Sequence, residues 1–383
     1  MQTGLEYRVK EHLREIEAAG LRRSLSAPQG VDLSSNDYLR LSNHPEIKYR
    51  MNQAVTAYGC GSTGSRLLRG HRECFSNVEQ RFARWKGTEK SLYFGSGYLA
   101  NIAVLSTFLE EGDVVFSDEF NHASLIDGIR ISRARRVVFP HLDVDLLTHL
   151  IERESQSKAQ RFIVTESLFS MDGDEAPLID YAALCRATGT NLIVDEAHAV
   201  GVYGHRGSGL LEENGIGDEV FLSINTAGKA LGVGGAFVAG QEWAIDYLLQ
   251  CARPFMFSTA PPPAMAAAID GALDCLHKEP QRLNLLHELA VDLRQLLNSE
   301  GIDVGRGSSQ IIPVVIGDSE QTVIVAESLR TVGFDVRAIR PPSVPPGRAR
   351  LRISVNVGLT KEILSQFAIV LSGVLEKTGY VPV

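Results

Sequence analysis

Several things are missing from this 383-residue chain, and each absence closes a class of function. Its five cysteines, Cys60, Cys74, Cys185, Cys251 and Cys275, are odd in number and widely spaced, with no CxxC pair. That excludes a disulfide framework and the usual zinc spacings, so no metal is expected and a reducing cytoplasm is the expected compartment. No apolar run approaches the ~20 residues that span a bilayer. The charged segment 1–23 carries Val9, Leu13, Ile16 and Leu21 at helical spacing, which predicts an amphipathic helix rather than a signal peptide or membrane anchor. Excess basic charge is also lacking. A net charge of −8 argues against nucleic acid as the main partner. There is no internal repeat or low-complexity tract.

Two nucleotide motifs fail on inspection. Gly228-Lys229 lacks the glycine and hydroxyl residue that a phosphate loop needs, because Ile224 and Ala230 occupy those positions. Residues 59–64 match the dinucleotide fingerprint in glycine spacing, but residues 51–55 before them read as helix where a strand is required.

What is present is a regular alternation from about residue 45 to residue 240. Short apolar strands are predicted at Ser91-Leu92-Tyr93-Phe94, Val114-Val115-Phe116, Arg136-Val137-Val138-Phe139, Phe162-Ile163-Val164-Thr165 and Leu192-Ile193-Val194, with helices between several of them. Phe221-Leu222-Ser223-Ile224 and Ala236-Phe237-Val238-Ala239 follow as a hairpin. This pattern predicts an α/β fold with a mainly parallel central sheet covered by helices. Later strands at 311–316 and 351–355, with helices near 321–331 and 361–375, predict a smaller C-terminal α+β domain. The expected division is 1–44 as an N-terminal helix and arm, 45–278 as a large domain, and 279–383 as the small one.

In such sheets ligands bind beyond the carboxyl ends of the strands. Four successive strand ends here carry glycine, hydroxyl, acid or imidazole groups: Gly95-Ser96-Gly97-Tyr98, residues 118–124, residues 167–172 and Asp195-Glu196-Ala197-His198. A lone lysine, Lys229, sits in Asn225-Thr226-Ala227-Gly228-Lys229-Ala230. Separately, a lysine after glycine is usually only solvated, and an acid at a strand end is often only a helix cap. Joined, they match the anchoring of pyridoxal phosphate, in which lysine forms a Schiff base and a carboxylate keeps the pyridine nitrogen protonated.

The motifs together resemble the α-oxoamine synthases, which are fold-type-I pyridoxal phosphate enzymes. The resemblance rests on Ser34-Ser35-Asn36-Asp37-Tyr38-Leu39, Gly61-Ser62-Thr63-Gly64-Ser65-Arg66, Gly95-Ser96-Gly97-Tyr98-Leu99-Ala100-Asn101, Asn121-His122-Ala123-Ser124-Leu125, Phe169-Ser170-Met171-Asp172-Gly173-Asp174 and Asp195-Glu196-Ala197-His198. It covers nearly the whole chain from Leu21 onward. Residues 339–345, followed by Arg350-Leu351-Arg352, are most similar to the members that join L-alanine to a pimeloyl thioester, carried by CoA or by acyl-carrier protein. Three positions depart from the pattern: Arg40 where glycine is usual, Ser343 for a common threonine, and Ala199-Val200 after His198, a pair similar to glycine-using members.

The resemblance implies a set of roles. Lys229 would anchor the cofactor and remove the substrate's α-proton, and Asp195 would pair with the pyridine nitrogen. His198 would reach the cofactor's phenolic oxygen, and His122 would lie flat on the ring. Gly97 and Tyr98, opening a helix, offer backbone amides to the phosphate, with Thr226 adding a hydroxyl. Ser170 would bond near the ring oxygen, and Thr259 would reach phosphate across the interface of a homodimer. Arg352, assisted by Asn36, would hold the amino-acid carboxylate. Arg22 would meet the acyl substrate under a loop bearing Ser343, and Ser65 would leave room for alanine's methyl. The implied reaction is decarboxylative condensation in biotin biosynthesis. Rival readings are a sister activity (glycine C-acetyltransferase, 5-aminolevulinate synthase or a serine-using enzyme), a plain aminotransferase, or a non-catalytic ligand-binding relative.

Overall fold

The computed structural model describes residues 3–154 and 159–379. These fall into two compact units: one of Asn36–Ser170 and Asp174–Leu286, the other of Met1–Ser35, Met171–Gly173 and His287–Val383.

The first unit is built on a seven-stranded sheet. Its strands in chain order are β1 (Lys90–Phe94), β2 (Val114–Asp118), β3 (Arg135–Phe139), β4 (Arg161–Glu166), β5 (Asn191–Asp195), β6 (Leu222–Thr226) and β7 (Ala236–Gly240), arranged β1-β7-β6-β5-β4-β2-β3. From β6 to β3 every pairing is parallel, while β7 runs antiparallel to both β6 and β1. The expected hairpin is thus β6–β7. Strands β2, β6 and β7 are buried along their whole length, as their unbroken apolar runs require when both faces are covered. Strand β3 behaves differently, exposing Arg135, Arg136 and Val138. It is an edge strand whose charges discourage pairing with another chain.

Helix Gly97–Phe108 buries Ala100, Ala103, Val104 and Leu105 in a core shared with Val115, Ile193, Leu222 and Val238. With hydrophobic side chains filling this layer, the polar residues collect at the strand ends. Asp118, Glu166, Asp195 and Thr226 close β2, β4, β5 and β6, and all four are buried.

Two backbone details fix the loops there. Arg40, where glycine was expected, adopts a left-handed φ of 55°. Gly232 has φ +67°, and a Cβ on it would lie 2.3 Å from the backbone nitrogen of Ser42. Only glycine allows the Lys229 loop to come this close to the segment after Tyr38.

The second unit has an antiparallel three-stranded sheet, Ala338–Ile339, Ala349–Ser354 and Ile311–Gly317 in that order, with helices Ser319–Thr331 and Lys361–Lys377. Val31–Asp32 pairs in parallel with Phe334–Asp335, so the N-terminal arm packs with C-terminal residues. The N-terminal helix is shorter than its apolar spacing predicts, spanning Gly4–Ala18 with no buried residue and leaving Leu21 outside. Residues 340–347 form no regular element, as their prolines dictate. Among the described residues no helix is long and apolar enough to cross a membrane.

Candidate active site

The lysine marks one end of a hydrogen-bonded row. Its Nζ lies 2.6 Å from His198 Nε2, and the other ring nitrogen, Nδ1, lies 2.7 Å from the Tyr38 hydroxyl. That hydroxyl in turn donates to Asn36 Oδ1 at 3.0 Å. Three segments far apart in sequence are therefore joined: the loop after β6, the turn after β5, and the segment 36–38. Tyr38 is fully buried. Its sequence motif alone assigns it no role, since nothing in the local pattern reveals the partner 160 residues away.

Asp195 anchors a second row. The backbone N–H of Ala197 donates to Oδ1 at 2.9 Å, and Asn101 Nδ2 donates to Oδ2 at 2.7 Å. One donor on each oxygen holds the carboxylate plane. Beside it, in register across β4 and β5, stands Glu166. Glu166 Oε1 accepts the backbone N–H of His122 at 2.7 Å. Burial pushes the Glu166 pKa up, and the Asp195 charge adds to the rise; Lys229 and the His122 N–H oppose it. This buried acid is a site residue that sequence reasoning missed. As the last residue of β4, it reads by itself as an ordinary strand end.

His122 caps helix Ala123–Ser132, its Nδ1 accepting the backbone N–H of Ser124 at 3.3 Å. Capping is thus one role of this histidine, and the residue as a whole stays partly open to solvent. Enough protein surrounds the ring that desolvation lowers its pKa, with Lys229 pulling the same way and Asp195 opposing.

Helix Gly97–Phe108 begins alongside Thr226: a Cβ on Gly97 would lie 3.7 Å from the Thr226 hydroxyl oxygen. Ser96 caps the same helix by accepting from Leu99 N–H at 3.2 Å. Thr226 accepts the Gly228 N–H at 3.2 Å. Tyr98 turns its hydroxyl to Asp127, so the backbone of this residue is what it can offer an anion. A helix start, a threonine and the lysine loop together suit a phosphate dianion. Ser170 ends the same unit's motif segment, and Thr259 is exposed on the stretch where Ala260 N–H bonds Gly64 O at 2.9 Å. Ser65 is half-buried.

The expected substrate contacts Arg22, Ser343 and Arg352 belong to the second unit. Arg352 is buried and donates to Ser354 Oγ at 2.6 Å. Arg22 pairs with Glu17 on the surface at 2.8 Å, and Ser343 is exposed.

The donor set fits pyridoxal phosphate. A primary amine, an anchored carboxylate, an imidazole and a helix start beside a hydroxyl lie on neighbouring strand ends of one sheet. One further cluster, His44, Cys275 and Glu279, was invisible to cysteine spacing. Arg282 already occupies its carboxylate at 2.6 Å.

Comparison with known proteins agrees with this chemistry. The family model for aminotransferase class I and II matches residues 28–371. An 8-amino-7-oxononanoate synthase from Anaeromyxobacter dehalogenans is 43% identical over 378 residues, covering 95% of this chain and 94% of the relative. The crystal structure of 8-amino-7-oxononanoate synthase from Francisella tularensis superposes with a TM-score of 0.80 at 27% identity, over 91% of this chain and 98% of that one. A variant serine palmitoyltransferase from S. paucimobilis with a bound PLP–myriocin aldimine gives a TM-score of 0.91 at 25% identity, over 99% and 100%.

Proposed function

This chain belongs to the aminotransferase class I and II family, and on that footing we propose that it condenses L-alanine with a pimeloyl thioester in biotin biosynthesis. The products are 8-amino-7-oxononanoate, carbon dioxide and the free thiol of CoA or acyl-carrier protein. The name shared by its relatives at 43% identity supports the substrates. The observation that carries the chemistry is Lys229 Nζ at 2.6 Å from His198 Nε2, on the loop next to the strand that ends in Asp195.

Pyridoxal phosphate, when bound, supplies the electron sink on which both loss of the α-proton and loss of carbon dioxide depend. The chain's residues do the rest. Asp195, held by Ala197 and Asn101, would keep a negative charge at the pyridine nitrogen. Lys229 takes the α-proton at Nζ, with His198 and Tyr38 behind it to orient the amine. With the cofactor bound, His122 would cover one face of its ring, and Ser170 and His198 would bond near its phenolic oxygen. The Gly97 and Tyr98 amides with Thr226 would receive the phosphate, joined by Thr259 from the second subunit of the proposed homodimer.

Arg352 and Asn36 are the proposed partners of alanine's carboxylate, because a guanidinium matches a carboxylate with two parallel donors. Arg22 and Ser343 are assigned to the acyl chain, and Ser65 to the space for alanine's methyl. We keep the division 1–44, 45–278 and 279–383 as a reading of domain organisation, and a cytoplasmic location as the compartment where such substrates are made.

The anchoring role has a direct test. Borohydride treatment of the cofactor-loaded protein followed by peptide mapping places the reduced pyridoxyl group on Lys229; a label on any other lysine overturns the assignment.

A further inference from the structure

Asn101 and Ser124 are fully enclosed polar residues in an otherwise apolar contact between two helices. Asn101 is 2% exposed and Ser124 0%, and around them lie Ala100, Val104, Leu105, Leu125 and Ile129. Such groups cost free energy to bury unless their hydrogen bonds are made. Gly128 permits the approach: a Cβ there would stand 2.9 Å from Leu105 Cβ and 3.2 Å from the Asn101 carbonyl oxygen.

The protons can be counted along this contact. Asp195 is a carboxylate and can only accept, so Asn101 must turn its NH2 toward it. The same Nδ2 lies 2.7 Å from Asp195 Oδ2 and 2.8 Å from Ser124 Oγ, which spends both amide protons. Ser124 Oγ therefore accepts from Asn101 and keeps its single proton available for His122 Nδ1, 2.7 Å away, a direction fixed by the backbone donor to the same nitrogen. The Ser124 backbone N–H also points at that Nδ1, at 3.3 Å. A nitrogen receiving two donors carries no proton of its own. The ring is then neutral with its hydrogen on Nε2.

We propose that Asn101 and Ser124 are positioning residues: they form a one-way hydrogen-bond chain that fixes the carboxylate plane of Asp195 and locks His122 as the neutral Nε2–H tautomer. The proposal rests on the reading that Asp195 and His122 bracket the cofactor's ring. A neutral imidazole can lie against a protonated pyridine, whereas an imidazolium would set two like charges face to face. One asparagine thereby matches both sides of the ring: the anion in its plane and the uncharged ring above it.

The chain can be tested without the cofactor. In apoprotein carrying 15N-labelled histidine, the His122 nitrogens at neutral pH should show Nδ1 unprotonated and Nε2 protonated. Ser124→Ala should mix the two tautomers, because one of the two donors to Nδ1 is gone. Asn101→Leu, similar in shape and without donors, should mix them too and raise the dissociation constant for pyridoxal phosphate roughly ten- to a hundred-fold, the loss of a hydrogen bond to a charged group. A purely structural role would lower the apoprotein's melting temperature in both variants and leave the tautomer as it was. A protonated Nδ1 in the unmodified protein, or a tautomer unmoved by Ser124→Ala, overturns the proposal. Failure of Lys229 to be labelled would instead remove the cofactor reading and leave the tautomer result intact.

Discussion

At Asp195, the proposed partner of the pyridinium nitrogen, one carboxylate meets two donors, Ala197 N–H and Asn101 Nδ2. Replacing it with asparagine keeps the shape and removes the charge. Without that charge the electron sink weakens, and we expect turnover to fall by roughly 10²–10⁴. Steady-state rates on the Asp195→Asn variant check this, and near-normal turnover would contradict the role. The sequence singled out this residue only in combination with Lys229, because an acid at a strand end is by itself often a helix cap. Lys229, in its glycine-flanked loop, likewise stood out only when joined to that acid. Tyr38, Glu166 and Asn101 were not given roles, since their partners come from strands and helices tens to hundreds of residues away. Arg40 illustrates the converse: its departure from glycine was visible, and its left-handed φ of 55° shows what the glycine would have relieved.

Elements carry the site by their ends. The parallel strands were readable as apolar runs, but the order that sets Glu166 beside Asp195 is a property of the folded sheet. So is the narrow gap between the Lys229 loop and Ser42. Gly232→Ala would place a methyl on a left-handed residue against that backbone, and we expect a loss of roughly 2–5 kcal/mol. A lowered urea midpoint with unchanged slope would register it.

The end of β2 offers a pH test. His141 bridges Asp118 and Asp174, each at 2.9 Å. Burial opposes its charge, yet the two carboxylates outweigh burial and raise its pKa to about 9. A histidine with a raised folded pKa adds stability in full below its unfolded value of ~6.5, and that stability drains away as pH rises through about 9. Urea unfolding of the protein and of His141→Gln should therefore differ most below pH ~6.5 and converge above that window. A gap that is constant with pH would contradict the charged pairing.

At the scale of the whole molecule, two compact units share one chain, and the α/β and α+β characters of both were legible from hydrophobic period alone. The pairing of Val31–Asp32 with Phe334–Asp335 was not, because two-residue strands leave no periodic trace. The identity of the amino acid is where sequence features pull in opposite directions. Ser65 is assigned to the space for alanine's methyl, while the Ala199-Val200 pair points by resemblance toward glycine. A methyl contact is worth only ~1–3 kcal/mol, so preference is a ratio to be measured. The most direct measurement mixes cofactor-loaded protein with pimeloyl thioester and either L-alanine or glycine, and follows thiol release and product mass. The account predicts that alanine is faster and that the product has the mass of 8-amino-7-oxononanoate; a faster reaction with glycine, or no condensation product from alanine, would contradict it.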